Sequence, residues 1–426
     1  MLEGVNVALG VSGSIAAVTV VELAHELRRQ GAAVRGVMTD SARGIVHPWA
    51  VEFATEHSVV TEITGRVEHV ELCGREGWAD VLLLAPATAN TVGKVAGAVD
   101  DTPVTTCATT ALGAGVPVVI APAMHEPMYD HPGVLDAIDR VASWGVEFVD
   151  PRIEEGKAKI ATEDAIVTAT ARATADDTLA GRHVVVTAGA TAEAIDRVRI
   201  LTNRASGKTG RAVARACHVR GADVTLVHDG GDVHYADTVT VESAAEMRDA
   251  VVVAAGDADE TEDGFAADAV VSAAAISDYT VDAAAGKLRS GEPRTLDLDP
   301  TPKLLDAVRD ARPDLPIVGF KTETSGDDDA MIDAARDLRD RVGCAFVVAN
   351  DASVMGDDDT RTLLLDGGVT EFSGSKTALG GAVADRLAPE LPRLGGRRVA
   401  PQPVSFTHLP AHETGRKHGF RPLPQK

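Results

Sequence analysis

The 426-residue chain carries 64 acidic and 41 basic residues, a formal net charge of −23, with 45% apolar residues and only 3% aromatic ones. The apolar share supports packed cores and excludes an intrinsically disordered chain, while the acidic balance argues against binding DNA or RNA. No apolar run reaches membrane-spanning length, no basic-then-apolar leader is present, and Cys73, Cys107, Cys217 and Cys344 show no Cys-x-x-Cys spacing, so a soluble cytoplasmic protein with reduced thiols and no membrane partner is expected.

Length predicts at least two domains. In chain order, VNVALGV, AAVRGVMT, DVLLLAPAT, VPVVIAPAM and VEFVDP read as strands, and between them lie helix-length segments such as AAVTVVELAHELRRQG, stopped by Gly31. The pattern pauses over 165–182 and restarts with HVVVTAGAT, DVTLVHD, AVVSAAAISDY, PIVGFKTE and CAFVVAND. Continuous apolar strands alternating with helices mean parallel sheets covered on both faces. The predicted class is therefore α/β, with two doubly wound, Rossmann-like parallel-sheet domains over 1–175 and 181–392. Residues 393–426 are basic and aperiodic and read as a disordered tail.

Three stretches of the first half carry chemistry. GVSGSIAA (10–17) turns from a strand into a helix; small residues let a ligand approach, and a helix N-terminus offers N–H groups to phosphate. Its glycines lack the Gly-x-Gly-x-x-Gly spacing, so alone it is equally a tight turn. APATANT and APAMHEPM follow buried strands, at the strand ends where open α/β sheets bind ligands. His69 stands in VEHVEL.

Together these residues resemble the flavin-dependent cysteine decarboxylases, specifically the phosphopantothenoylcysteine decarboxylases, over roughly residues 4–175. The resemblance implies a flavodoxin-like first domain, FMN bound at a subunit interface of a trimer, and His69 as catalytic base. It puts Ser12, Gly13, Ser14, Thr39, Thr88 and Asn90 on the flavin side. Two positions depart from the family. His125 stands where an asparagine usually anchors the substrate carboxylate, and it still offers a hydrogen-bond donor. The flap that usually carries a proton-donating cysteine reads PRIEEGKAKIAT (151–162), which leaves Lys157, Lys159 or a water as the acid.

In the second half, NRASGKTG (203–210) looks at first like a P-loop, but that pattern requires glycine where Thr202 stands. Its context, VTAGATAEAIDRVRILTNRASGKTGRAVARA, resembles instead the phosphopantothenate–cysteine ligases, as do SAAAISDYTVDAAAGKLRS, DPTPKLL, GFKTET and ANDAS. The resemblance covers roughly 183–390. It implies catalytic roles for Asn203 and Lys287, and a nucleotide site containing Gly189, Asp278, Lys287, Pro302, Lys303, Leu304, Leu305 and Phe320. It also implies Mg2+ at Asp278, a dimeric ligase domain, and 4′-phosphopantothenate, L-cysteine and CTP as small-molecule substrates. The chemistry agrees: a carboxylate needs activation before an amine attacks, a lysine can neutralise phosphate charge, and an aspartate can help hold the metal. Arg339 or Arg341 stands in for lysines that many relatives carry before the AND block; Lys208 has no role derivable from its pattern, and the choice between CTP and ATP is not readable.

The two resemblances imply successive steps of coenzyme A biosynthesis, ligation and then decarboxylation, by a homo-oligomer. A flavin/NAD(P) oxidoreductase is the first alternative, opposed by the absent dinucleotide fingerprint. A flavin-binding regulator with a degenerate decarboxylase site is the second, favoured by the missing flap cysteine and opposed by His69.

Overall fold

The computed structural model describes residues 1–256, 266–324, 327–351 and 358–391. The acidic stretch GDADETEDG falls almost wholly outside these residues, and SGDDDA falls partly outside; the predicted tail also lies beyond them.

In the first half the elements are β1 (Asn6–Val11), α1 (Val20–Arg29), β2 (Ala33–Met38), α2 (Asp40–Arg43), α3 (Pro48–Thr55), α4 (Glu68–Cys73), β3 (Val81–Ala87), α5 (Ala89–Ala96), α6 (Pro103–Ala114) and β4 (Val118–Pro122). They continue with β5 (Met124–His125), α7 (Glu126–Tyr129), α8 (Pro132–Ala142), β6 (Glu147–Phe148), β7 (Arg152–Glu154), β8 (Lys157–Lys159) and α9 (Glu163–Thr174). The main sheet is parallel with strand order β2-β1-β3-β4-β6, the doubly wound arrangement expected of a flavodoxin-like domain. Alternation along its strands explains the two buried faces. Val7, Leu9 and Val11 of β1 pack with α1 and α9, whereas Ala8 of the same strand joins Leu82 and Leu84 against α4–α6.

The second half contains β9 (His183–Thr187), β10 (Ala192–Ala194), β11 (Ile200–Thr202), α10 (Lys208–Val219), β12 (Asp223–His228), β13 (Asp237–Thr240), α11 (Ala244–Ala255), β14 (Ala269–Ser272), β15 (Tyr279–Thr280) and β16 (Asp299–Pro300). After these come α12 (Leu304–Ala311), β17 (Ile317–Glu323), α13 (Asp328–Val342), β18 (Phe346–Asp351), β19 (Asp359–Leu365), β20 (Val369–Ser375) and α14 (Lys376–Leu387). Its sheet has the order β13-β12-β9-β14-β17-β18-β19-β20. The first six are parallel in a Rossmann-like order, with α10 and α14 on one face and α11–α13 on the other.

Three strands of this sheet were not anticipated from the pattern. β13 is a half-exposed polar edge, DTVT, with no apolar run to announce it. β19 and β20 form an antiparallel hairpin that closes the other edge, joined across Asp366-Gly367-Gly368, a turn signal present in the sequence. No helix among the described residues is long and apolar enough to cross a membrane.

Candidate active sites

In the first half, the turns that follow β1, β2, β3 and β4 meet at the C-terminal edge of the sheet. The Ser12 hydroxyl is buried; it donates to the Pro86 carbonyl at 2.7 Å and accepts from the Thr88 N–H at 3.0 Å, stitching the β1 turn to the β3 turn. Ser14 donates to Ala123 O at 3.2 Å, reaching the turn after β4. Thr39 caps α2 through Ala42 N at 3.2 Å, and Thr88 caps α5 through Thr91 N at 3.2 Å. Gly13 is dictated by packing: a Cβ there would lie 2.4 Å from the Ser41 hydroxyl. Four of the six flavin-side candidates therefore use their hydroxyls to fix the turns. Gly13 lets the β1 turn pack directly against Ser41, and Asn90 is exposed at the start of α5. This set of small residues, backbone and one amide fits a group bearing a phosphate.

His69 lies in α4. Residue Val60 pairs in parallel with Val37 at the end of β2, so the chain emerges from the same edge of the sheet before entering α4. Val67 begins that helix with φ at 52°, a left-handed conformation that a branched residue rarely adopts. The Nδ1 atom of His69 is buried without a hydrogen-bond partner. A buried polar atom left unpaired costs about 1–3 kcal/mol, so this one calls for a ligand or a partner chain.

The flap is a hairpin of β7 and β8 docked on β5. His125 is the direct antiparallel partner of Lys157, so the two side chains share a face. Lys159, the other candidate acid, is tied to Glu154 at 3.0 Å and Glu155 at 3.1 Å; these carboxylates raise its affinity for its proton and make it the poorer donor.

In the second half, the turns after β9 and β14 flank the point where strand order reverses. Asn203 spans it. Its Nδ2 donates to Ala275 O at 2.7 Å and its Oδ1 accepts from Ala205 N at 3.0 Å, which leaves one N–H and one lone pair for a ligand. Gly189, with φ at 82°, lets the β9 turn approach both Asp229 and Gly207; a Cβ there would fall 1.9 Å from the Asp229 carboxylate. The crevice between these turns is lined by Gly189, residues 205–210 and Phe320 among others.

Asp278 and Lys303, predicted separately for the nucleotide, form an ion pair at 2.7 Å. Among the described residues no group of three or more His, Cys, Asp or Glu side chains is arranged to hold a metal. Asp278 contributes a single exposed carboxylate, paired with Lys303. Pro302 is exposed beside Lys303, while Leu304 is buried and Leu305 is half-buried against the same apolar cluster, so these leucines serve the core and can offer a ligand only backbone. Arg341 pairs with Asp306 and Arg339 reaches Asp366 O at 3.3 Å; neither is among the residues that line this crevice. Lys208 gains a partner, Asp358, at 2.6 Å.

Lys287 is exposed on a loop, and the residues that hold that loop escaped the sequence reading. Asp196 is buried and accepts from Val198 N, Arg199 N and Leu288 N at 2.7, 2.9 and 3.0 Å, besides the Arg199 guanidinium. Burial opposes its ionisation, but these donors outweigh it and hold the carboxyl at about 2. Buried Glu193 binds Thr280 Oγ1 at 2.7 Å and Ala244 N at 2.8 Å, and Thr191 Oγ1 accepts from Ser277 N at 2.8 Å. The TAEAID segment is thus a brace for SAAAISDY and GKLRS. The signal was available: acidic residues inside an otherwise apolar stretch need buried donors.

Comparison with known proteins gives a Flavoprotein family match over residues 1–175 and a match to the DNA/pantothenate metabolism flavoprotein C-terminal domain over 179–390. The chain is 47% identical to the coenzyme A biosynthesis bifunctional protein CoaBC of Thermococcus kodakarensis, over 85% of this chain and 89% of that protein. It is 32% identical to the protein of the same name from Methanocaldococcus jannaschii, over 91% and 94%. Among solved structures, that of the FMN-dependent cysteine decarboxylase SpaF is 35% identical, covering 41% of this chain and all of its own, with a TM-score of 0.37.

Proposed function

Because the chain belongs to the family of coenzyme A biosynthesis bifunctional proteins, we propose that it joins 4′-phosphopantothenate to L-cysteine at the expense of CTP and decarboxylates the product to 4′-phosphopantetheine. Residues 1–175 form the decarboxylase and 181–392 the ligase. The observation that carries the ligase reading is Asn203 bridging to Ala275 across the reversal of strand order, with Lys287 on a loop braced through Leu288 N to Asp196. Asn203 orients the activated acyl group for the cysteine amine, Lys287 neutralises phosphate charge, and Asp278 shares Mg2+ with the nucleotide. Gly189, Lys303 and Phe320 bind the nucleotide, with the backbone of Pro302, Leu304 and Leu305.

In the decarboxylase, Ser12, Gly13, Ser14, Thr39, Thr88 and Asn90 form the cradle for FMN. When bound, the flavin would supply the two-electron oxidation of the thiol that gives the departing carboxylate an electron sink and would return the same two electrons after CO2 has left, so that the product is a thiol again and the reaction is redox-neutral overall. His69 holds the proton exchanged at the substrate thiol, His125 hydrogen-bonds the carboxylate, and Lys157 returns a proton from the flap. Exposed apolar side chains support a homo-oligomer in which a second copy completes the site: Ile15, Trp49 and Phe53 are 78%, 75% and 75% exposed, on or beside the elements that shape it. The cytoplasm is the compartment this reading implies.

Purified protein supplied with FMN, Mg2+, 4′-phosphopantothenate, cysteine and CTP should release CO2 and form 4′-phosphopantetheine. Amide product without CO2 would leave the ligase and remove the decarboxylase; no amide with either CTP or ATP would remove the ligase.

A further inference from the structure

One wall of the ligase crevice remains unassigned. Register places Thr322 of β17 beside Asn350 of β18, and Asn350 beside Thr362 of β19. The three side chains therefore form a row across adjacent strands, on the face covered by α10 and α14. Nearer the N-terminal ends of β17 and β18, and further along β19, this face is apolar, with Val318, Phe346, Val348 and Leu364 in the core. It turns polar where the crevice begins. Thr322 donates to Asn350 Oδ1 at 3.1 Å, but Thr362 is only 2% exposed and its hydroxyl has no partner. A hydroxyl desolvated at that depth awaits an acceptor or a donor that the described protein atoms do not supply.

Lys376 completes the wall. It begins α14 in Ser-Gly-Ser-Lys-Thr (373–377), a near echo of Ser-Gly-Lys-Thr at 206–209 on the facing helix. The residue is 8% exposed, far below what a solvated lysine shows, and it lines the crevice together with Thr362 and the first turn of α10. Ser375 already caps the first turn of α14 through Ala378 N at 3.1 Å, so that helix end is occupied, and the buried Lys376 side chain is the charge that α14 brings to the crevice wall. Opposite it, α10 starts at Gly207 with no side-chain cap, its N–H groups facing the same space. The crevice measures about 100 Å3, well short of the roughly 300 Å3 at which pockets for whole small molecules begin. That volume suits a phosphoryl-sized group.

We propose that Lys376 and Thr362 bind a phosphoryl group of the activating nucleotide, gripping it from the side opposite the α10 N-terminus. The assignment rests on the ligase reading above. An ammonium–phosphate contact contributes enough that its loss weakens binding roughly 10- to 100-fold, and a neutral hydroxyl contact roughly 2- to 10-fold.

The test uses the full chain with Mg2+. KM is measured for CTP, 4′-phosphopantothenate and cysteine, and inhibition by inorganic pyrophosphate is measured alongside, for wild type, Lys376→Met, Lys376→Arg and Thr362→Val. The expected result is a KM for CTP and a pyrophosphate inhibition constant that rise together in Lys376→Met, and less in Thr362→Val. Lys376→Arg should recover most of the loss, and KM for cysteine should not move. Should Lys376→Met fail to fold, Lys376→Gln takes its place beside Thr362→Val. Unchanged KM for CTP and unchanged pyrophosphate inhibition in the charge-removing Lys376 variant and in Thr362→Val would overturn the assignment while leaving the ligase intact. Wild type that forms no amide at all would overturn the ligase reading and this assignment with it.

Discussion

The two crevices of this chain occupy equivalent places, beyond the C-terminal ends of parallel strands, yet they are built differently. In the first, Ser12, Ser14, Thr39 and Thr88 hold the turns together, and what remains for a ligand is backbone, the exposed Asn90 and a few outlying groups, with apolar side chains left in solvent. In the second, a separate set of buried residues, Thr191, Glu193 and Asp196, does the bracing. That leaves Lys287, the Asp278–Lys303 pair and part of Asn203 to face a ligand. The first site is left to be completed by a bound flavin; the second is braced from within. A site whose polar groups are committed to its own turns binds through shape and backbone, and a site with a separate brace can spend its charges on substrate.

The largest expected effect breaks the first site alone. His69→Asn should lower CO2 release by about 10²–10⁴-fold while nucleotide-dependent amide formation continues; a variant that still releases CO2 at the wild-type rate removes His69 from the mechanism. Asp196→Asn addresses the brace of the second. It leaves Lys287 in the sequence but loosens its loop, so amide formation should fall roughly 10- to 100-fold with decarboxylation of preformed 4′-phosphopantothenoylcysteine unchanged. Equal loss in both assays would mean a general folding defect, read directly from the thermal midpoint. Trp49→Asp tests whether the first site needs a second copy: light scattering should show a smaller assembly and FMN should be retained less well, whereas an unchanged mass would detach Trp49 from the interface.

The smallest effect concerns the contact between the halves. Arg172 of α9 donates to His218 O at 2.6 Å and lies 3.1 Å from its Nδ1, while Arg215 pairs with Asp164 at 2.8 Å and His234 lies 3.7 Å from the same carboxylate. Burial first, then the charges of Arg172 and His234, lower the His218 imidazole from 6.5 to about 4. The folded form therefore keeps the ring neutral where the unfolded chain would protonate it. Its contribution is complete above pH 6.5 and is lost as pH falls toward 4. His218→Asn should flatten the decline of the thermal midpoint across that interval; an identical pH slope would show that the ring is not what titrates.

Much of this was legible in the sequence, for identifiable reasons. Apolar strands such as VLLLAPA are buried on every residue, so β3 could be read from composition. The ligase motifs NRASGKTG and AAAISDY could be found separately, but their meeting through Asn203 and Ala275 depends on a strand order that no local pattern encodes. Leu304 was taken with its motif neighbours because a motif does not separate side chains that face a ligand from those that face the core. The Asp196 brace and the Thr322–Asn350–Thr362 row were hidden because their partners lie far away along the chain. The flap pairing of His125 with Lys157 was hidden for the same reason, as two short strands of three residues or fewer carry no periodicity.

The central claim is that one chain runs the two steps in order, ligation first, with the product passing to the flavin site. It is tested most directly by following CO2 from labelled cysteine with FMN and Mg2+ present. The account predicts that CO2 appears from 4′-phosphopantothenate and cysteine only when CTP is added, and from preformed 4′-phosphopantothenoylcysteine without it. CO2 from the unligated substrates in the absence of nucleotide, or none from the preformed conjugate, would contradict it.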